Sequence, residues 1–306
     1  MKKSIRVLAL IVALALFAAM ALGSGSSDEG KDIVLPDSSE GGVEGATQGS
    51  ADEPEQSSAL PTIEEQVLFD QKGVKVTATE YVRDSIWGDG IKVLVENSSE
   101  RNVTVSIEAL IVNNYMIDDL FVSSVAAGKK ANETIYFSSS ELEQAGIGSI
   151  GQIELYFHVY DSDDYKTIFD TEVITIQTSL FSEMDVTPSD GGTELYNGKG
   201  IRIVGKLVDE DSIWGTAILL YLENTSGKNV TVSCENMSIN GFMVDPIFSS
   251  TIYAGKMAID EITIFSTDLE ENDITQIEEV ELTFHIYNAD TYKTIVDTDP
   301  ITFEVN

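Results

Sequence analysis

Cysteine occurs once in 306 residues, histidine twice and tryptophan twice, and only 18 Lys and Arg stand against 52 Asp and Glu. Each shortage excludes something. A lone cysteine cannot make an intramolecular disulfide, a four-cysteine zinc site or a redox pair, and two histidines leave little for a His-based metal centre. A formal net charge of -34 repels phosphate backbones and anionic surfaces, so nucleic acid is excluded as a partner. Long apolar runs are scarce too. The only one, 7–22, follows Lys2, Lys3 and Arg6 and ends in small residues. It is shorter than the roughly 20 residues a spanning helix needs, and reads as the h-region of an export signal. Contact with a membrane is then expected only through a signal segment left uncleaved. Ser26 stands where a lipoprotein processing site would carry its lipidated cysteine, so a thioether lipid cannot attach there.

The organisation expected is a signal peptide over 1–23, a disordered acidic Ser/Gly-rich tether over 24–60, a repeat over 61–179, a short joint over 180–187 and a second repeat over 188–306. The tether is expected to stay unfolded because it has too little apolar surface to offset its ordering entropy. The repeats are related by a constant offset of 127: Asp84-Ser85-Ile86-Trp87-Gly88 recurs as Asp211-Ser212-Ile213-Trp214-Gly215, and His158 as His285. About 40% identity over the unit marks a tandem duplication, and each unit is long enough to hold its own core.

Within a unit the apolar pattern has period two. Ile153, Leu155, Phe157 and Val159 alternate with Glu154, Tyr156, His158 and Tyr160, as half-buried strands of antiparallel sheets do. Asn113-Asn114 and Asn240-Gly241 suit tight hairpins. Ser140-Glu141-Leu142-Glu143 and Thr267-Asp268-Leu269-Glu270 read as capping boxes of one short helix per repeat. The fold class expected is all-β: two tandem immunoglobulin-like antiparallel sandwiches, each with one short helix.

The runs Glu-Asn-Ser/Thr-Ser, Asn-Val-Thr-Val, Ala-Gly-Lys, Phe-His-Val/Ile-Tyr and Tyr-Lys-Thr-Ile, present in both units, resemble an immunoglobulin-like domain found in tandem in secreted and lipid-anchored proteins of Gram-positive, clostridia-like bacteria. The resemblance implies a fold and an extracytoplasmic location, secreted or at the cell surface. It brings no catalytic residues with it.

Candidate site residues come in pairs. Tyr156, His158 and Tyr160 share a strand face, and a hairpin closed by 161–164 would add Tyr165, Thr167 and Phe169 to it. The second unit would set His285 and Tyr287 beside Tyr292, Thr294 and Val296. So aromatic an outward face fits a contact surface between repeats, between molecules or for a surface partner. Trp87 and Trp214 read either as packing anchors of a turn or as exposed stacking platforms. Asp161, Asp163 and Asp164, with Asn288 and Asp290, invite calcium but lack the spacing of a calcium loop, and turn chemistry accounts for them equally well. No cofactor is called for. Cys234 aligns with Ile107 and reads as a buried, inert thiol.

The function expected is a non-enzymatic, exported interaction module whose partner is a protein or glycan at the cell surface, with self-association open. The alternatives are a carbohydrate-binding module stacking Trp or Tyr on sugar, and a carboxylate-dependent hydrolase.

Overall fold

The computed structural model describes residues 31–35, 60–212 and 215–305; the signal segment, most of the tether and Trp214 lie outside the described residues. One short strand, β1 (Ile33–Val34), precedes the repeats. The first repeat comprises β2 (Gln66–Gln71), β3 (Val74–Asp84), β4 (Gly88–Asn97), β5 (Val103–Val112), β6 (Tyr115–Ile117), β7 (Val122–Val125), β8 (Lys130–Tyr136), α1 (Ser139–Gln144), β9 (Gln152–Asp161), β10 (Thr167–Asp170) and β11 (Ile174–Gln177). The second follows the same order: β12 (Thr193–Gly198), β13 (Ile201–Ser212), β14 (Gly215–Asn224), β15 (Val230–Ile239), β16 (Phe242–Met243), β17 (Ser249–Ile252), β18 (Met257–Phe265), α2 (Ser266–Glu271), β19 (Glu279–Asn288), β20 (Thr294–Asp297) and β21 (Ile301–Val305). The protein is an all-β, immunoglobulin-like sandwich protein with two short helices.

Each repeat faces two sheets. In the first, β2-β3-β4-β8 packs over β10-β9-β5-β6, with β7 and β11 extending β5 and β9. Alternation does the packing: Ile153, Leu155, Phe157 and Val159 of β9 are fully buried, while Tyr156, His158 and Tyr160 between them face outward, half-buried. The hairpins form as expected, with Asn113 and Asn114 at φ +47° and +77°, and Asn240 and Gly241 at +48° and +81°. The capping boxes do not. Ser140 and Thr267 fall inside the first helical turns, neither helix has a side-chain cap, and the Glu141 carboxylate accepts the Asp118 N–H at 2.7 Å instead.

The repeats are joined by more than a linker. β6 of the first pairs in parallel with β18 of the second, Tyr115 with Met257 and Met116 with Ala258, which makes one ten-stranded sheet across both. Val204, Leu219, Tyr221, Met257 and Ile259, on the outer face of the second repeat, pack into the core cluster of the first. Their counterparts in the first repeat are Thr77, Lys92, Leu94, Lys130 and Asn132. The duplicated faces have diverged: one is apolar and covered, the other turns Lys92, Lys130 and Asn132 to water. Lys256 closes the junction with bonds to Asn114 Oδ1 at 2.9 Å and to the Glu154 carboxylate at 2.7 Å.

Residues 31–35 correct the expectation of an unstructured tether. Ile33 and Val34 pair with Val305 and Glu304 of β21, and Lys31 bridges to Val208 of β13. Ile33 is buried in the second core.

Candidate functional site

The outward face of β9 is built by a bulge. Tyr160 pairs with Thr167, but the register then slips by one, so Phe169 lies opposite Val159 and Asp170 opposite His158. The placement of Phe169 on the outer face is therefore corrected. Its ring turns inward, edge-on to Phe69 and Phe157's neighbourhood, 5.6 Å from the Phe69 centroid. The same slip in β20 puts Val296 opposite Ile286 and Asp297 opposite His285. A bulge re-aims side chains in this way, and here it trades an apolar residue for a carboxylate beside each histidine. His158 Nδ1 lies 2.5 Å from Asp170 Oδ1, and His285 Nδ1 lies 2.5 Å from Asp297 Oδ1. Asp170 and Asp297 are the site residues that sequence reasoning missed. Their signal was their common offset of 127.

Along each face the rings continue in a row. His158 and Tyr160 are 5.4 Å apart, Tyr160 and Tyr165 stack at 6.3 Å, and the second repeat repeats this with His285–Tyr287 at 5.2 Å and Tyr287–Tyr292 at 6.3 Å. Tyr165 and Tyr292 hold φ at +58° and +57°, a region that bulky residues rarely enter. Both are more than 60% exposed. In both copies the residue closes the hairpin loop, its N–H donating to the Asp161 or Asn288 carbonyl at 2.9 and 2.8 Å, and its ring stands out into solvent.

A nucleophile would have to come from Ser106 or Ser233, which pair across from the histidines. Their hydroxyls are instead donated to the main-chain carbonyls of His158 and His285, at 3.2 and 3.3 Å. Among the described residues one set of ligand types lies together: Glu108, His158 and Asp170 bring ligand atoms within 4.8 Å of one another. The acidic loop is committed to turn geometry. Asp161 accepts the Asp163 N–H at 3.0 Å, Asp164 accepts the Lys166 N–H at 3.1 Å and also binds the Lys166 ammonium, and Arg101 reaches Asp161.

The two tyrosine rows differ in surroundings because residues of the first repeat border the second row. Tyr156 meets Tyr253 of the second repeat edge-on at 5.0 Å. Next to this pair opens a cleft of about 330 Å³ whose walls include Glu108 from the first repeat and Thr231, Thr251, Tyr253, Tyr287 and Tyr292 from the second. The two threonine hydroxyls bond each other at 2.9 Å. Burial, with Glu108 nearby, pushes the Tyr253 hydroxyl up to about 12, so it stays a neutral donor at any physiological pH.

Trp87 sits apart, at the tip of the β3–β4 hairpin. Asp84 Oδ1 accepts the Ile86 and Trp87 N–H groups at 2.7 and 3.0 Å, which folds the tip and leaves Ile86 and Trp87 exposed, with the indole 6.1 Å from Tyr136. The Asp-Ser-Ile-Trp-Gly motif is thus a surface turn in the first repeat. Cys234 is partly covered, and burial pushes its thiol up to about 12.

No family model matches the chain, and no curated protein matches it. Among solved structures it is similar to the YadV chaperone, at 12% identity over 70% of this chain and 91% of that one, with a TM-score of 0.22. It is also similar to the Salmonella enterica SafA pilin in complex with the SafB chaperone, at 8% identity over 70% and 88%, TM-score 0.19. A protein of unknown function from Porphyromonas gingivalis W83 matches at 11% identity over 70% and 89%, TM-score 0.20. Scores this low carry nothing about partners or activity to this chain.

Proposed function

We propose that the chain is an exported, non-enzymatic binding protein that grips a protein or glycan of the cell surface at the junction of its two repeats. The observation that carries this reading is the gathering of Tyr253, Tyr287 and Tyr292 of the second repeat around one cleft, which Glu108 of the first repeat borders. Tyrosines contribute large contact area with few rotatable bonds and a polar tip, which is why contact surfaces favour them. The basic n-region with its apolar run supports export, and the -34 charge keeps the molecule off anionic surfaces. That Ser106 and Ser233 spend their hydroxyls on main-chain carbonyls supports a binding role over hydrolysis by a serine nucleophile.

A glycan is the second reading, favoured by the cleft's mixture of aromatic rings, threonine hydroxyls and a carboxylate, the groups that hold sugar faces and sugar hydroxyls. Titration of the mature chain with cell-envelope glycans, followed by intrinsic tyrosine and tryptophan fluorescence, separates the two. Saturable change that Tyr253→Ala and Tyr292→Ala abolish assigns a glycan. No response to glycans, with retention of an envelope protein that the same substitutions abolish, assigns a protein. Retention of either ligand unaffected by both substitutions removes the cleft from the account.

A further inference from the structure

The two repeats close the same gap with different pieces of chain. In the first, the segment leading into β2 lies along the end of the sandwich: the Ser179 N–H donates to the Thr62 carbonyl at 2.8 Å, and the Thr62 N–H donates to Ser179 Oγ at 3.1 Å. Antiparallel register then sets Ile63 across from Thr178, and its side chain packs on the core. The equivalents of Thr62 and Ile63 in the second repeat are Ser189 and Asp190. Both are engaged at the junction, Ser189 with the Tyr115 hydroxyl and the Lys206 ammonium, Asp190 with Arg202 at 2.6 Å. The local chain therefore has no apolar residue to offer there.

Ile33 takes that place. It pairs with Val305, the equivalent of Thr178, and the flanking Lys31 exchanges two main-chain bonds of 2.9 Å with Val208. Thr193 Oγ1 donates to the Ile33 carbonyl, joining residues 160 apart in sequence. Gly205 lines the socket: a Cβ there would meet the movable ends of Ile33 and Leu195, at 2.6 and 3.2 Å, and the first repeat has Ala78 at the equivalent position. Within the tether, Ile33-Val34-Leu35 is the only run of three large aliphatic residues.

We propose that this socket, between β13 and β21, is a strand-acceptor site with an exchangeable occupant, and that it accepts residues 31–35 from a second copy of the chain. Three features argue for exchange. Ile63 lies three residues before β2 and must stay with its own repeat, whereas residues 36–59 separate β1 from the first repeat, so residues 31–35 can be offered to another molecule. The segment's only buried side chain among residues 31–35 is Ile33, the rest of its hold being main-chain bonds to β13 and β21 and the Thr193 hydroxyl, with Val34 and Leu35 each 42% exposed. A second copy's segment fits because it is chemically identical, the condition under which strand exchange needs no new contact. This inference is independent of the tyrosine cleft, which lies on another face.

Two variants separate donor from acceptor. Ile33→Asp keeps the socket and spoils the strand; Gly205→Phe keeps the strand and fills the socket. Light scattering coupled to size exclusion is expected to show the wild-type chain shifting from monomer to dimer and beyond as concentration rises. Each variant alone is expected to stay monomeric, and an equimolar mixture of the two to form a one-to-one complex. A wild-type chain monomeric at every concentration, with a mixture that does not associate, overturns the proposal. A fluorescein-labelled peptide of residues 28–38 tests the socket even if Gly205→Phe does not fold. Its anisotropy is expected to rise at least tenfold more steeply with Ile33→Asp than with wild type, and equal weak binding to both overturns the proposal.

Discussion

Asn97 and Asn224 show how much of each sandwich hangs on one side chain. Asn224 is fully buried; its amide donates to the Lys228 and Ile252 carbonyls at 2.8 and 2.9 Å, and its oxygen accepts the Ser226 N–H and hydroxyl at 3.0 and 2.7 Å. Asn97 makes the same four bonds with Arg101, Val125 and Ser99. Truncation takes the side-chain partner from a buried main-chain carbonyl, Ile252 or Val125, and from the Ser226 or Ser99 N–H, while the serine hydroxyl keeps the Lys228 or Arg101 carbonyl. Asn224→Ala is therefore expected to lower unfolding free energy by about 3 kcal/mol in urea titration, and Asn97→Ala by a similar amount. At this scale the sequence was readable where chemistry is local: the Asn at the hairpin tips declared their positive φ, and the alternation in β9 separated the core residues from Tyr156, His158 and Tyr160. It was silent on Asp170. The run Thr167-Ile168-Phe169 is compatible with either face, so which residue met His158 depended on a bulge that no residue type announces.

At the scale of elements, β6 and β18 explain why two copies of one domain have different neighbours. Lys129 and Lys256 are repeat equivalents, yet Lys129 is exposed while Lys256 is largely buried against Glu154, with side-chain exposures of 15% and 11% for the pair. Removing one partner of a buried pair leaves the other charge uncompensated. Lys256→Ala is expected to cost about 3 kcal/mol, whereas Lys129→Ala is expected to stay within about 0.5 kcal/mol, both read from chemical denaturation. Equal costs would contradict the junction described. The duplication was evident from the constant offset, but the junction was not. It lay in the differences between copies, Leu219 for Lys92 and Met257 for Lys130, which an eye set on identities passes over. The short helices were located without their caps, because Ser140 and Thr267 fall two positions past the cap positions, Ser138 and Phe265.

For the whole molecule, the junction also gathers acid. Asp118, Asp119 and Glu141 of the first repeat stand near Asp260 of the second. Burial first, then the charge of Asp118, pushes Asp119 and Asp260 up to about 7 and Glu141 well above its ordinary range. In the unfolded chain these carboxyls titrate near about 4. Groups whose pKa is raised by folding contribute stability that is full below about pH 4 and is lost as pH rises through about 7. The midpoint of thermal unfolding is accordingly expected to fall between pH 5 and pH 8. Asp260→Asn, which keeps an acceptor for the Glu261 N–H at 2.8 Å, is expected to flatten that fall and to raise stability at pH 8. A profile that rises from pH 5 to 8, or one that Asp260→Asn leaves unchanged, contradicts the placement of these acids.

The junction is also where function is placed, and one measurement bears on that most directly. The mature chain and its Tyr253→Ala, Tyr292→Ala double variant are immobilised at equal density, and retention of solubilised cell-envelope material is measured by biolayer interferometry. Both substitutions are at the rim of the cleft, so circular dichroism should show the fold intact. The expected result is saturable retention by the mature chain and at least a tenfold loss in the variant. Equal retention by both, with both folded, would contradict the claim that the tyrosine-lined cleft is the contact site.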